Sequence, residues 1–163
     1  MLRKVRTSHV RDLAGRFAIV ASRYNGRYVN SMVRAARRAL EEAGAQVELV
    51  RVPGAYEIPL ATELLARRAL AKTGAAPVAI LCLGVILRGE TVHAAHIGEA
   101  VSRALMEIQL RHGIPVIHEV LLLENREQAV KRCLDPRHNR GLEAAHTALE
   151  MARLVQRLRS GGS

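Results

Sequence analysis

Short apolar runs alternate along this chain with stretches whose apolar residues recur every three or four positions. Phe17-Ala18-Ile19-Val20-Ala21 is continuous and apolar, the pattern of a strand covered on both faces. Asn25-Gly26 breaks it. Val29, Val33, Ala36 and Leu40 then share one face of a helix that Gly44 ends. Val47 to Val52 predicts a second strand, closed by Pro53-Gly54. The spacing predicts a helix over 57–71, with Ile58, Ala61 and Leu65 on one face and Pro59 tolerated in its first turn. Val78 to Leu87 is the longest apolar run and predicts a third strand. Thr91 then opens and caps a helix carrying Ile97, Val101, Ala104, Leu105 and Ile108, which Gly113 ends. Ile114 to Leu123 predicts a fourth strand. A helix follows from about Arg126, breaks near Asp135-Pro136, and resumes from Gly141 to Leu158.

Strand and helix thus alternate four times, with an extra helix at the end. Right-handed crossovers fold such a chain into a three-layer α/β/α sandwich with a four-stranded parallel sheet. Residues 15–159 form this single domain. Residues 1–14 are polar and basic and read as an arm or an edge strand, able to add to a neighbouring subunit's sheet. Residues 160–163 read as a flexible tail. Ligands of parallel sheets bind at the carboxyl ends of the strands, so the site is sought there.

Composition narrows the field. A chain of 163 residues is long enough to bury its own core. Its longest charge-free run, Thr73 to Leu87, contains Gly74 and Pro77 and is too short to cross a bilayer. No apolar stretch follows the basic start, so a cytoplasmic protein with no membrane segment is expected. Cys82 and Cys133 are too few for a disulfide framework and read as reduced packing residues. The formal net charge of +10 draws phosphate in any form. Much of it is spread over single helical arginines, the pattern of a solvated surface. With Phe17, Tyr24, Tyr28 and Tyr56 as its only aromatics, the chain lacks the stacking platform of a nucleic-acid binder.

Candidate chemistry gathers after the strands. Ser22-Arg23-Tyr24-Asn25 follows the first, Val52-Pro53-Gly54-Ala55-Tyr56-Glu57 the second, Arg88-Gly89-Glu90-Thr91-Val92-His93 the third, and Leu122-Leu123-Glu124-Asn125 the fourth. In a chain so poor in aromatics, Tyr24 and Tyr56 either stack on a flat ligand or plug the ends of the core. Gly89-Glu90-Thr91 leads into a helix whose first N–H groups face an anion. His93, at that helix start, is either a surface residue or a proton relay beside the anion. His93 and His96 are three apart, but no third ligand accompanies them, so no metal is expected. No phosphate-loop or dinucleotide glycine pattern is present.

Val52-Pro53-Gly54-Ala55-Tyr56-Glu57-Ile58-Pro59 and Leu83-Gly84-Val85-Ile86-Leu87-Arg88-Gly89-Glu90-Thr91-Val92-His93 are specific in combination. With Ser22-Arg23-Tyr24-Asn25, Glu127-Gln128-Ala129 before Arg132, and Asn139-Arg140-Gly141-Leu142-Glu143-Ala144-Ala145, the chain closely resembles the 6,7-dimethyl-8-ribityllumazine synthase family over roughly residues 15–158. The resemblance implies a flavodoxin-like sandwich and the penultimate step of riboflavin biosynthesis. There, 5-amino-6-(D-ribitylamino)uracil condenses with 3,4-dihydroxy-2-butanone 4-phosphate, without metal or redox cofactor. It implies that Tyr24 stacks on the pyrimidine, that Ala55, Tyr56 and Glu57 border the ribityl chain, and that Val85, Ile86 and Leu87 offer backbone groups to the uracil edge. Glu90, Thr91 and Arg132 would hold the butanone phosphate, and His93 would transfer protons. His118 would close the pocket, where the family commonly has phenylalanine. It implies two small-molecule partners and a pentamer-based homo-oligomer, in some members a sixty-subunit icosahedral shell, with residues 118 and 132 supplied by the neighbouring subunit. The chain departs from the family pattern at Ala94, Ala95, His118, Leu122 and Arg140. Such drift leaves a second reading, a shell-forming or flavin-binding paralogue without turnover.

Overall fold

The computed structural model describes residues 15–69, 71 and 75–161, and the expected arm at 1–14 lies outside them. Four parallel strands form one sheet: β1 (Arg16–Ser22), β2 (Gln46–Val52), β3 (Ala79–Leu87) and β4 (Val116–Leu123), in the spatial order β2-β1-β3-β4. The helices are α1 (Gly26–Glu42), α2 (Ile58–Arg67), α3 (His93–His112), the single turn α4 (Arg126–Ala129) and α5 (Arg140–Arg159). The α/β/α sandwich predicted from the apolar pattern is the fold observed.

Strand composition follows position in the sheet. β1 and β3 are central, and Phe17 to Ala21 and Ala79 to Leu83 are fully buried. Phe17, Ile19 and Ala21 face the layer of α1 and α5, whereas Ala18 and Val20 face α2 and α3. β2 is an edge strand, and Val47 to Val50 are only partly covered.

Of the boundaries that differ from the sequence reading, four have a local reason. The third strand begins at Ala79, because Val78 lies at the exposed edge of the core. The second helix stops at Arg67, where Arg68 turns back to fork the carboxylate of Glu48 on β2 at 2.8 and 3.0 Å. The helix expected from Arg126 widens after one turn into a π-turn, Val130–Leu134, which buries Cys133. The third helix begins at His93 with Val92 at its cap, so Thr91 does not cap it.

Candidate active site

The carboxyl ends of the strands border one open groove of about 1090 Å³. It is lined from β1 by Tyr24 and Asn25, from the turn after β2 by Gly54 to Glu57, and from β3 by Val85 to Leu87. The segment into α3 adds Gly89, Thr91, His93, Ala94, His96, Ile97 and Ala100, and Arg126 closes the β4 side.

Backbone conformation sets the β1 side. Asn25 takes a left-handed conformation, φ 53°, which asparagine tolerates better than most residues. Its side-chain amide then donates to the Val85 carbonyl at 2.7 Å, tying the turn to β3. The Arg23 and Tyr24 amides donate to the Val52 and Pro53 carbonyls at 2.8 and 3.1 Å. The loops after β1 and β2 are thereby held side by side, and Tyr24 and Tyr56 stand 74% and 64% exposed at the groove. Phe17 and Tyr28 are the buried aromatics. Tyr24 and Tyr56 therefore do not plug the core; their ring faces are available to a ligand.

Strand length sets the floor. β3 pairs with β4 as far as Leu87 opposite Leu123, but with β1 only as far as Leu83 opposite Ala21. Val85, Ile86 and Leu87 outrun β1 and reach the groove, where the Val85 carbonyl already accepts from Asn25 and Leu87 carries the unpaired edge of the strand. Glu57 lies in a single 3₁₀ turn, Ala55–Glu57, and its Oε2 accepts from the Gly54 amide at 2.9 Å. The carboxylate is thus held by its own turn.

At the α3 end, no side chain caps the helix and no acidic residue occupies its first turn. The free N–H groups and the helix dipole meet the groove beside His93. Across the strand ends, Arg88 forks the Glu124 carboxylate at 2.9 and 3.0 Å.

Three of the expected site residues lie elsewhere on the chain. Glu90 is exposed in the loop before α3 and does not line the groove. His118 projects from β4 toward α3, on the sheet's outer strand. Its Nδ1 accepts from the Val120 amide at 3.2 Å, which leaves Nε2–H to donate to the Ser102 hydroxyl at 2.7 Å. Desolvation holds its pKa below the usual histidine value. Arg132 is exposed on the π-turn, in the field of Glu119. Glu119 is buried, which raises its pKa, and the Arg140 guanidinium forks it at 2.8 and 3.0 Å. A single protomer thus gathers Tyr24, Ala55, Tyr56, Glu57, Val85, Ile86, Leu87, Thr91 and His93, but neither His118 nor Arg132.

Asn25, His96 and Arg126 also line the groove, and the sequence had assigned none of them a role in binding or catalysis. The Asn-Gly break after β1 signalled Asn25. Nothing in local pattern distinguished Arg126 from the many other helical arginines. Both cysteines are free and buried; burial pushes the Cys82 thiol up to about 12 and the Cys133 thiol to about 11. Among the described residues no cluster suited to a metal occurs, and no helix is long and apolar enough to cross a membrane.

Fold and groove together define a class: an α/β/α protein with a small-molecule site at the sheet's carboxyl edge, offering aromatic faces beside an uncapped helix start. A model of the 6,7-dimethyl-8-ribityllumazine synthase family matches residues 14–156. A 6,7-dimethyl-8-ribityllumazine synthase of Stenotrophomonas maltophilia (strain R551-3) is 41% identical over 148 residues, covering 89% of this chain and 92% of its own. One of Xanthomonas campestris pv. campestris (strain B100) is 38% identical over 152 residues, covering 91% and 95%. Among solved structures, a sigma-54 interaction domain protein from Enterococcus faecalis aligns over 90% of this chain and 95% of its own, at 12% identity and a TM-score of 0.31, which carries no weight. The chain belongs to the 6,7-dimethyl-8-ribityllumazine synthase family.

Proposed function

We infer that this chain is an enzyme of riboflavin biosynthesis, a transferase that condenses 5-amino-6-(D-ribitylamino)uracil with 3,4-dihydroxy-2-butanone 4-phosphate. The observation that carries the reading is the groove itself, with exposed Tyr24 and Tyr56, the open edge of β3 and an uncapped helix start beside His93 on one rim. The aromatic faces suit the pyrimidine, the Glu57 carboxylate suits the ribityl hydroxyls, and the amides at Thr91 and the start of α3 suit the phosphate. The 5-amino group attacks the ketone and loses water to give an imine. Inorganic phosphate then leaves, the second nitrogen closes the ring, and a further water departs. His93 moves protons in these steps. Holding both reactants in one groove contributes the larger share of the rate, because it removes most of the entropy of bringing them together.

The site is completed in this reading by a neighbouring subunit that brings Arg132 and His118. Leu60 and Leu64 on α2, and Met106 and Leu110 on α3, stand exposed on one helical layer, an apolar face suited to a second copy. A pentamer-based assembly and a cytoplasmic setting belong to the same proposal. The reading without turnover, a shell-forming or flavin-binding paralogue, is disfavoured by the family match and by the retained groove.

The test combines the mass of the native particle with a two-substrate turnover assay. One phosphate is expected per fluorescent lumazine formed, by a particle of five protomers or a multiple. A well-folded oligomer that forms no lumazine from saturating substrates overturns the reading.

A further inference from the structure

We propose that Arg126 is a phosphate-binding cation supplied by the same chain whose groove it borders, additional to the arginine expected from the neighbour. This deepens the functional reading above and rests on it. Among the described residues lining the groove, Glu57 is the carboxylate and Arg126 the arginine; no lysine joins them. Sheet topology separates the two. Glu57 follows β2 and Arg126 follows β4, the strands at opposite edges of the order β2-β1-β3-β4. Tyr24 from β1, and Thr91 and His93 from beyond β3, fall between them. The groove is therefore polarised along its length. A polyol matches the end that holds Glu57, and an anion matches the opposite end, where Arg126 borders the same groove as Gly89, Thr91 and His93.

The backbone that carries Arg126 is fixed, while its guanidinium is not committed. Asn125 Oδ1 accepts from the Gln128 amide at 2.9 Å, and Gln128 Oε1 accepts from the Glu124 amide at 3.0 Å. Ala129 is fully buried beneath the turn. The Arg126 guanidinium has no hydrogen-bond or ion-pair partner among the described residues, whereas Arg88 is held by Glu124. A guanidinium poised in this way can take two phosphate oxygens at once. Arg126 also lines a second hollow of about 610 Å³, shared with Lys131, Arg137 and His138 and with the carboxylates of Glu127 and Asp135. That hollow is the competing home for its side chain, and the experiment separates the two.

Steady-state kinetics of the wild-type oligomer, Arg126→Gln, Arg126→Lys and Arg34→Gln decide the matter, with inorganic phosphate as competing anion. Arg34→Gln removes the same charge from the exposed face of α1. Arg126→Gln is expected to raise KM for the butanone phosphate by about 10- to 150-fold, the range for a hydrogen bond to a charged group. Inhibition by inorganic phosphate should weaken by a similar factor, and both effects should shrink at high ionic strength. KM for the pyrimidine and kcat should stay within about twofold, Arg126→Lys should recover part of the loss, and Arg34→Gln should match the wild type. An active wild type whose phosphate-substrate KM is the same in Arg126→Gln overturns this inference and leaves the functional reading intact. A fall in kcat with both KM values unchanged overturns it too, by assigning Arg126 to structure. A folded wild type without turnover overturns the functional reading, and the inference with it.

Discussion

The two helical layers of the sandwich are built to different standards. On one side α1 packs against α5 so closely that a Cβ at Gly141 would run into the Met32 carbonyl. Ala36, Ala144, Ala145, Ala148 and Ala152 keep the interface thin. Asn139 caps α5 through the Gly141 amide at 2.9 Å and donates to the Cys133 carbonyl at 2.6 Å. The outer face of α1 carries paired charges such as Arg38 with Glu42. On the other side α2 and α3 bury Ile58, Leu65, Val101, Leu105 and Ile108 and are stapled by Glu63, which accepts from Arg67, Arg111 and His112. Their outer faces nonetheless leave Leu60, Leu64, Met106 and Leu110 in solvent. The first layer is complete within one chain. The second buries its inner face and still presents another, and α3 also carries the groove. The part of the molecule that secures the fold is thus largely separate from the part that acts.

Breaking the closed layer should have the largest effect. Gly141→Ala is expected to cost about 3 kcal/mol or more, because backbone must move to admit the methyl group. That corresponds to a fall of about 6 to 12 °C in Tm by thermal denaturation. An unchanged Tm would show that α1 and α5 do not need their close approach.

The open layer should respond differently. Leu64→Glu combined with Leu110→Glu should leave the circular dichroism spectrum native while the particle falls to protomers on sedimentation. If Arg132 and His118 complete a neighbour's site as proposed, activity should fall with assembly. Full activity in a dispersed protomer would contradict the shared site.

Within the groove the effects are graded. Arg132→Ala should harm turnover more than His93→Ala, chiefly through KM for the phosphate substrate. His93→Ala should be slow but measurable, because proton transfer by a side chain contributes about 10²- to 10⁴-fold. A fully active Arg132→Ala enzyme would reject the role assigned to that arginine.

The smallest effect is expected at the exposed entry to α5. The Arg137 amide and the His138 imidazole hold the Asp135 carboxyl at about 2, below its ordinary 3.8. A depressed acid stabilises the fold above its unfolded value. The contribution is therefore complete above about pH 4 and lost as pH falls toward 2. Tm of Asp135→Asn should lie slightly below that of the wild type near neutrality and converge with it toward pH 2. Parallel curves over that range would remove Asp135 from the acid response.

Much of this arrangement was legible before any coordinates. Continuous apolar runs identified β1 and β3 because central parallel strands are buried on both faces. The strand-end rule placed Tyr24, Tyr56, Thr91 and His93 together, and the structure lines one groove with all of them. The cap expected at Thr91 did not form, since the helix starts two residues later and local propensity cannot weigh that choice. The π-turn at Val130–Leu134 was equally unreadable. It carries the buried Cys133, and burial is a tertiary quantity.

By itself the sequence determined the alternation of strand and helix, the identity of the family and most of the residues at the rim. Periodicity and motif spacing are local properties, carried by residues close together along the chain. Only the tertiary structure decided that Tyr24 and Tyr56 stand open rather than buried, that Arg126 faces the groove without a partner, and that His118 and Arg132 lie away from it. Those outcomes depend on strand order and packing between residues distant in the chain, where contacts are set by the whole fold.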